Sequence, residues 1–236
     1  PHLITALTGP INELEQRILD AMPAIERWFR LEWMEHTPPF YTSVDIRNAG
    51  FKLAPVDTNL FPGGWNNLTT AMLPLALHAG WSVRRKSRHF QSYEEVAKRF
   101  GKMLGIDPWL INPMFNQCGE VNFAEGTGME CLRSNVDALL TKIKRKYKEY
   151  GINEKPFVVV KADNGTYGMG IMTVRDVSDL DQLNRKTRNK MSVIKDGQEV
   201  SDVIIQEGVI THELMNDAVA EPVVYMMDRY VVGGFY

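Results

Sequence analysis

The chain has 236 residues, with 27 Lys plus Arg against 29 Asp plus Glu, so its formal net charge is −2. With 44% hydrophobic and 24% charged residues, it is globular rather than disordered. It is also long enough to bury a core without disulfide staples. The balanced charge leaves no electrostatic footprint for nucleic acid. No apolar run reaches the roughly 20 residues of a membrane span, and no secretory signal is visible.

Residues 10 to 33 read as helix, with Ile11, Leu14, Ile18, Met22, Ile25 and Phe29 recurring at helical spacing and Pro23 set to kink or restart it. From Pro38 to Asn67, prolines and glycines among aromatic and polar residues predict short strands and long loops. Residues 68 to 79 return to an apolar helical pattern. Ser92-Tyr-Glu-Glu95 has the form of a capping box, predicting a helix from there to about Leu104, closed by Gly105. Asp107-Pro108 starts another short helix. Met129 to Tyr150 is the clearest helix, with Met129, Leu132, Val136, Leu139, Ile143 and Tyr147 on one face and Gly151 at its end. Its basic run, Lys142 to Lys148, suits a solvated face near the negative end of the helix dipole. Apolar strands follow at Phe157–Lys161, Gly170–Val174, Val203–Gln206, Pro222–Met226 and Tyr230–Phe235, with one charged helix over 178–190.

Two cysteines, Cys118 and Cys131, make no disulfide framework, and five scattered histidines make no preassembled metal site. Reduced, packed thiols fit a cytoplasmic protein. The chain begins at Pro1 and stops at Tyr236 inside a strand-like run, so it is expected to be part of a longer product.

The most informative stretch runs from Phe157 to Val174: a buried strand ending in Lys161, a loop with Gly165, Gly168 and Gly170, then a second strand. Glycines let backbone N–H groups approach an anion, and a lysine at the strand end adds a point charge for a phosphate. The lysine precedes the glycines, which excludes a Walker A loop, and the GxxGxG spacing with a following strand excludes a dinucleotide fingerprint. Strand–glycine loop–strand is also the form of a kinase flap, but the kinase HRD and DFG elements are missing. A ligand-free glycine hairpin is the alternative. About forty residues on, Val203-Ile-Ile-Gln206-Glu207-Gly208-Val209 is an apolar strand breaking into a polar linker.

This order of parts resembles the ATP-grasp superfamily. The resemblance implies an α/β (α+β) fold in which Lys161 touches the ATP phosphates. Gly165, Thr166, Tyr167, Gly168 and Gly170 form the covering flap. Gln206, Glu207, Gly208 and Val209 face adenine, with the Glu207 and Val209 backbone giving its hydrogen bonds. Lys86, in Arg84-Arg-Lys86-Ser, is the candidate second phosphate lysine, or else one more exposed lysine in a basic turn.

At finer grain the chain resembles the proteobacterial glutamate–cysteine ligase of ATP-grasp type. The segments that carry this are Phe40–Lys52, Leu53–Asn67, Gly80–Lys86, the flap, and Val219-Ala-Glu221-Pro-Val-Val-Tyr-Met. It implies ATP and Mg²⁺ as cofactors and glutamate and cysteine as substrates. Phosphoryl transfer to the γ-carboxylate of glutamate would precede attack by the cysteine amine, the first step of glutathione synthesis. Arg47 would fork onto a substrate carboxylate beside Lys52, while Asp57 and Asn59 receive the ammonium. Turn chemistry, with Arg47 paired to Asp45, is the plain alternative.

The resemblance divides the chain into a helical, loop-rich substrate region over 1–80 and a nucleotide-binding domain over 81–236. Segments are expected to be missing near 77–80, where there is no room for the preceding α/β domain of such ligases. Glu221 and Asp228 are present, but the late acidic cluster that holds Mg²⁺ is expected beyond Tyr236, so no metal ligand is assigned. A homo-oligomer is compatible with all of this. The rival readings are another ATP-grasp carboxylate–amine ligase, similar to glutathione synthetase, and a nucleotide-binding regulatory module without catalysis.

Overall fold

The structure is a computed structural model describing residues 3–4, 9–59, 85–165, 170–192 and 199–236. The predicted helix at 68–79, the flap tip Thr166, Tyr167 and Gly168, and the expected boundary at 80/81 lie outside the described residues. The fold is mixed, with five α-helices and antiparallel sheets among the described residues, and it divides into two units. One draws on Pro1–Trp81, Ser92–Asn112 and Val209–Tyr236, the other on Ser82–Gln91 and Pro113–Gly208.

The first unit opens with β1 (Leu3–Ile4), α1 (Pro10–Asp20) and α2 (Met22–Glu35). Pro23 sits in the first turn of α2, where its missing N–H costs nothing, so the proline restarts the helix as its sequence position predicts. The 38–67 stretch differs from expectation. Its described part is not short strands but an antiparallel pair, β2 (Tyr41–Asn48) and β3 (Leu53–Asn59). A bulge between Asp45 and Ile46 absorbs the proline.

The chain's last segment returns to this sheet. β10 (Val223–Met227) pairs with β2, and β11 (Tyr230–Phe235) pairs with β10, giving the order β11-β10-β2-β3. A small sheet joins β1 with β8 (Leu214–Met215) and β9 (Ala218–Val219). The back of the large sheet, Val44, Ile46 and Leu53, meets Trp28, Phe29 and Phe100 around an apolar cavity of about 370 Å³.

Helix α3 (Lys86–Leu104) is divided between the units at Gln91/Ser92. It begins six residues before the predicted capping box, so Ser92 lies inside the helix rather than at its N-cap. The true start is set by a distant carboxylate, described below. Gly105 ends the helix, and Pro108–Leu110 forms a 3₁₀ turn capped by Asp107, whose carboxylate accepts from Trp109 N at 2.9 Å.

The second unit is built on four antiparallel strands in the order β4-β7-β5-β6: β4 (Phe115–Cys118), β5 (Val158–Ala162), β6 (Ile171–Val174) and β7 (Val203–Glu207). All five residues of β7 are buried, as befits a central strand, and its apolar start, Val203 to Ile205, follows from that. Helix α4 (Met129–Glu149) buries Leu132, Val136, Leu139, Leu140, Ile143 and Tyr147, which is the predicted face with Leu140 added and with Met129 only partly buried. Each such aliphatic side chain contributes about 1.5–3 kcal/mol on leaving water. Gly151 takes φ +65° and donates to Lys148 O, a left-handed stop that a Cβ would strain. The single helix expected over 178–190 is instead a 3₁₀ turn at Val177–Leu180 and α5 (Arg185–Ser192). Asp176 forms a capping box that closes the first turn on itself.

Candidate functional site

In the second unit, β5, whose last residue but one is Lys161, is pinned from both sides. Lys161 stands opposite Ile171 on β6 and Ile204 on β7. Alternation places Lys161 and Gln206 on one face, where Lys161 Nζ donates to Gln206 Oε1 at 2.7 Å. Both are buried. This bond also fixes the amide's orientation, because an ammonium donates only to oxygen. Gln206 Nε2 is left buried with no partner among the described residues. An unpaired buried donor costs about 1–3 kcal/mol, so the place asks for an acceptor.

Two residues past Lys161, Asp163 turns the chain and anchors the start of α3. Its Oδ1 accepts from Ser87 N and its Oδ2 from Ser87 Oγ, both at 2.7 Å, and its backbone O accepts from Lys86 N at 3.0 Å. Asp163 is itself held by donating its N–H to Asp202 O at 2.9 Å. The carboxylate thus caps a helix 76 residues upstream in the chain. Lys86, Ser87 and Asp163 are all buried, so Lys86 is not an exposed turn lysine. The structure brings the backbones of the two candidate phosphate lysines together through Asp163. Asp163 was not among the residues singled out from sequence, although the Lys161-Ala-Asp163 spacing was a signal: residues two apart at a strand end face the same way.

The glycine loop closes between Ala162 and Gly170. Ala162 N donates to Gly170 O at 2.8 Å, Gly165 N to Ala162 O at 3.0 Å, and Gly170 adopts φ +62°, which an L side chain resists. On β7, Glu207 is buried and makes two bonds with Met114: its N–H donates to Met114 O at 2.7 Å, and its Oε2 accepts from Met114 N at 2.9 Å. The Glu207 N–H is therefore already engaged within the protein. Burial, reinforced by the charges of Glu207 and Glu154, pushes the Tyr147 phenol well above its ordinary range. Gly208 donates to Phe157 O at 2.8 Å, and a Cβ there would stand 2.1 Å from the Phe157 ring. Close packing is reason enough for this glycine.

In the first unit, β2 alternation puts Ser43, Asp45 and Arg47 on one face, with Asn59 opposite Ser43 and Asp57 opposite Asp45. Arg47 does not pair with Asp45. Its Nε donates to Glu221 Oε2 at 2.5 Å and its Nη1 to Val209 O at 3.0 Å. The half-exposed Arg47–Glu221 pair is the arrangement a carboxylate ligand would meet. Asp57 Oδ1 accepts from Thr58 N at 2.9 Å. Lys52 is fully buried, with its Nζ 4.4 Å from the centre of the Trp109 ring, a cation–π contact. Asp228 takes φ +52° in the turn of the β10–β11 hairpin and pairs with Arg229 at 3.3 Å.

Among the described residues, no group of three or more His, Cys, Asp or Glu is placed to hold a metal ion, and no helix is long and apolar enough to cross a membrane.

The Glutamate-cysteine ligase family matches the chain over residues 15–79 and 71–236. A crystal structure from Methylobacillus flagellatus KT, provisionally assigned as a gamma-glutamylcysteine synthetase, is 42% identical in sequence, with a TM-score of 0.85. The alignment covers 100% of this chain and 84% of that one. No curated protein matches.

Proposed function

Since the chain belongs to the glutamate–cysteine ligase family, we propose that it joins the γ-carboxylate of glutamate to the amine of cysteine at the expense of ATP, in the manner of ATP-grasp ligases. The carrying observation is the buried cluster in which Asp163 ties the Lys86 backbone to the end of the Lys161 strand while Lys161 rests on Gln206. Gln206 Nε2, without a partner among the described residues, fits a nucleotide, whose ring nitrogens and phosphate oxygens would supply an acceptor. Lys161, Lys86, Gly165, Gly170, Gln206, Glu207 and Gly208 are the residues of the second unit that would hold ATP. When bound, ATP supplies the phosphoryl group that turns the glutamate γ-carboxylate oxygen into a leaving group for the cysteine nitrogen.

The protein's part is positioning and charge neutralisation. Lys161 and Lys86 offer ammonium groups to phosphate oxygens. The glycine loop bounded by Gly165 and Gly170 would cover the phosphates with backbone N–H groups. In the first unit, Arg47 offers its fork to a glutamate carboxylate, and Asp57 and Asn59 offer oxygens to its ammonium. Mg²⁺ belongs to this reading as the usual companion of ATP. The described residues present no cluster for it, so no ligand and no step is assigned to it. A thiol substrate fits a reducing, cytoplasmic setting.

The test is ADP release with ATP, Mg²⁺ and glutamate, with and without cysteine, for the wild type and Lys161→Ala. Cysteine-dependent release that the substitution abolishes is the expected result. Release with a different amine instead would move the chain to another ligase specificity. ATP binding without any amino-acid-dependent turnover would leave a regulatory module.

A further inference from the structure

The two cysteines lie apart from the residues assigned above, and the ligase reaction uses neither. Cys118 ends β4 and is buried, while Cys131 lies in the first turn of α4 and is exposed. The turn between them folds tightly. Val121 N donates to Ser201 O, and Asn122 bridges Thr127. Gly128, at φ +73°, passes so close to Glu120 O that a Cβ would stand 2.5 Å from it. The turn returns α4 against the end of β4, and the two Sγ atoms stand 2.8 Å apart. Asn135, one helical turn beyond Cys131, aims its Nδ2 at both sulfurs, at 3.1 Å from Cys118 and 3.4 Å from Cys131.

We propose that Cys118 and Cys131 are a reversible redox modification site, closing to an intramolecular disulfide by exchange with a low-molecular-weight disulfide. The exchange balances in two steps. The Cys131 thiolate, exposed to solvent, attacks one sulfur of the small disulfide and expels one small thiol, leaving a mixed disulfide on Cys131. Cys118 then loses its proton and attacks Cys131 Sγ, expelling the second small thiol. The two protein thiols are oxidised by two electrons, and one small disulfide is reduced to two thiols. Excess small thiol reverses both steps.

Exposure decides the order, because the buried Cys118 cannot meet the reagent first. Burial, then the hydrogen bond and charge of Cys131, push the Cys118 thiol up to about 12, while Asn135 works against them. Once Cys131 carries the mixed disulfide, it has neither a proton nor a charge to share. Two of the causes that hold Cys118 protonated then vanish as its target arrives. The bridge would fasten the first turn of α4 to β4, the strand that runs beside β7, with Phe115 opposite Gln206.

The probe is glutathione disulfide in excess over the native chain, read by intact mass, by titration of free thiols after unfolding, and by a non-reducing gel. Wild type is expected to lose both thiols while gaining no reagent mass and staying a single chain, and to regain both thiols in excess cysteine. Cys118→Ser should stop at the mixed disulfide and carry one reagent half. Cys131→Ser should keep its Cys118 thiol. The proposal is overturned if wild type keeps both thiols where Cys118→Ser forms the adduct, if wild type itself stops at the adduct, or if chains link to one another. None of these readouts depends on ligase activity.

Discussion

The two units hold their candidate cations in opposite ways. In the second unit, Lys161 and Lys86 are buried, and their placement comes from strand pairing and from the Asp163 hydrogen bonds. One contact of Lys161 is to a neutral amide, its Nζ donating to Gln206 Oε1. In the first unit, Arg47 is half-exposed, and its guanidinium is already engaged by the Glu221 carboxylate and the Val209 carbonyl. On the proposed function, a phosphate would enter a preorganised place, whereas a carboxylate substrate would compete with the resident Glu221. If that function holds, the contrast divides the site into a built part and an exchangeable part, and it ranks what substitutions should do.

The largest effect is expected at Lys161. Lys161→Met removes a preorganised positive group from where charge develops, a loss worth about 10²–10³-fold in kcat. Single-turnover ADP formation measures it. A drop under about tenfold would break the comparison, since the phosphates would then have to lie elsewhere. Next comes Asp163. Asp163→Ala leaves the buried Ser87 N–H and hydroxyl unpaired, costing about 1–3 kcal/mol by urea midpoint at unchanged slope. Asp163→Asn, which keeps one acceptor, should recover part of that. Both should weaken ATP binding and leave glutamate binding alone.

These two residues also mark how far the sequence could be read. The placing of Lys161 near the end of a strand was legible because a strand end and a glycine loop are neighbours in the chain. The stops at Gly105 and Gly151 and the restart at Pro23 were legible for the same reason: their chemistry is local. Asp163 was not, because the helix it caps starts 76 residues away. The local capping signal at Ser92 lost to that distant carboxylate and ended inside the helix. Arg47 tells the same story. Asp45 was two residues off, but the partner is Glu221, 174 residues on, because β10 returns to pair with β2. The order β4-β7-β5-β6 is likewise fixed by pairings that no local pattern encodes.

A third test separates the units by alkaline titration. In the first unit, burial pushes Tyr93 up to about 12. In the second, burial and then the charges of Glu207 and Glu154 push Tyr147 upward. An unfolded chain releases phenolic protons near pH 10, while the folded chain keeps them. Between the two values the unfolded state binds fewer protons, so stability falls as pH rises. This contribution is whole below about pH 10 and is lost above it, for Tyr93 up to about pH 12. Melting temperature should therefore decline from about pH 10 upward, and Tyr93→Phe should blunt the decline. Glu207→Gln should lower the ultraviolet titration of Tyr147 and leave that of Tyr93 in place.

The smallest effect is expected at the exchangeable part, and its sign matters more than its size. If Glu221 occupies Arg47 in competition with substrate, Glu221→Gln should tighten glutamate binding. A half-exposed ion pair is worth about 0.2–1 kcal/mol, so the gain is at most roughly fivefold. Arg47→Lys should lose binding in both backgrounds, because a lysine keeps the charge but not the two-pronged fork. Calorimetric titration of glutamate into the four proteins of this cycle measures the coupling directly. If Glu221→Gln instead weakens glutamate binding, Glu221 is itself a ligand, the natural partner for the substrate ammonium, and Arg47 holds it in place rather than being blocked by it. The first unit would then be as preorganised as the second, and the contrast between the two would vanish.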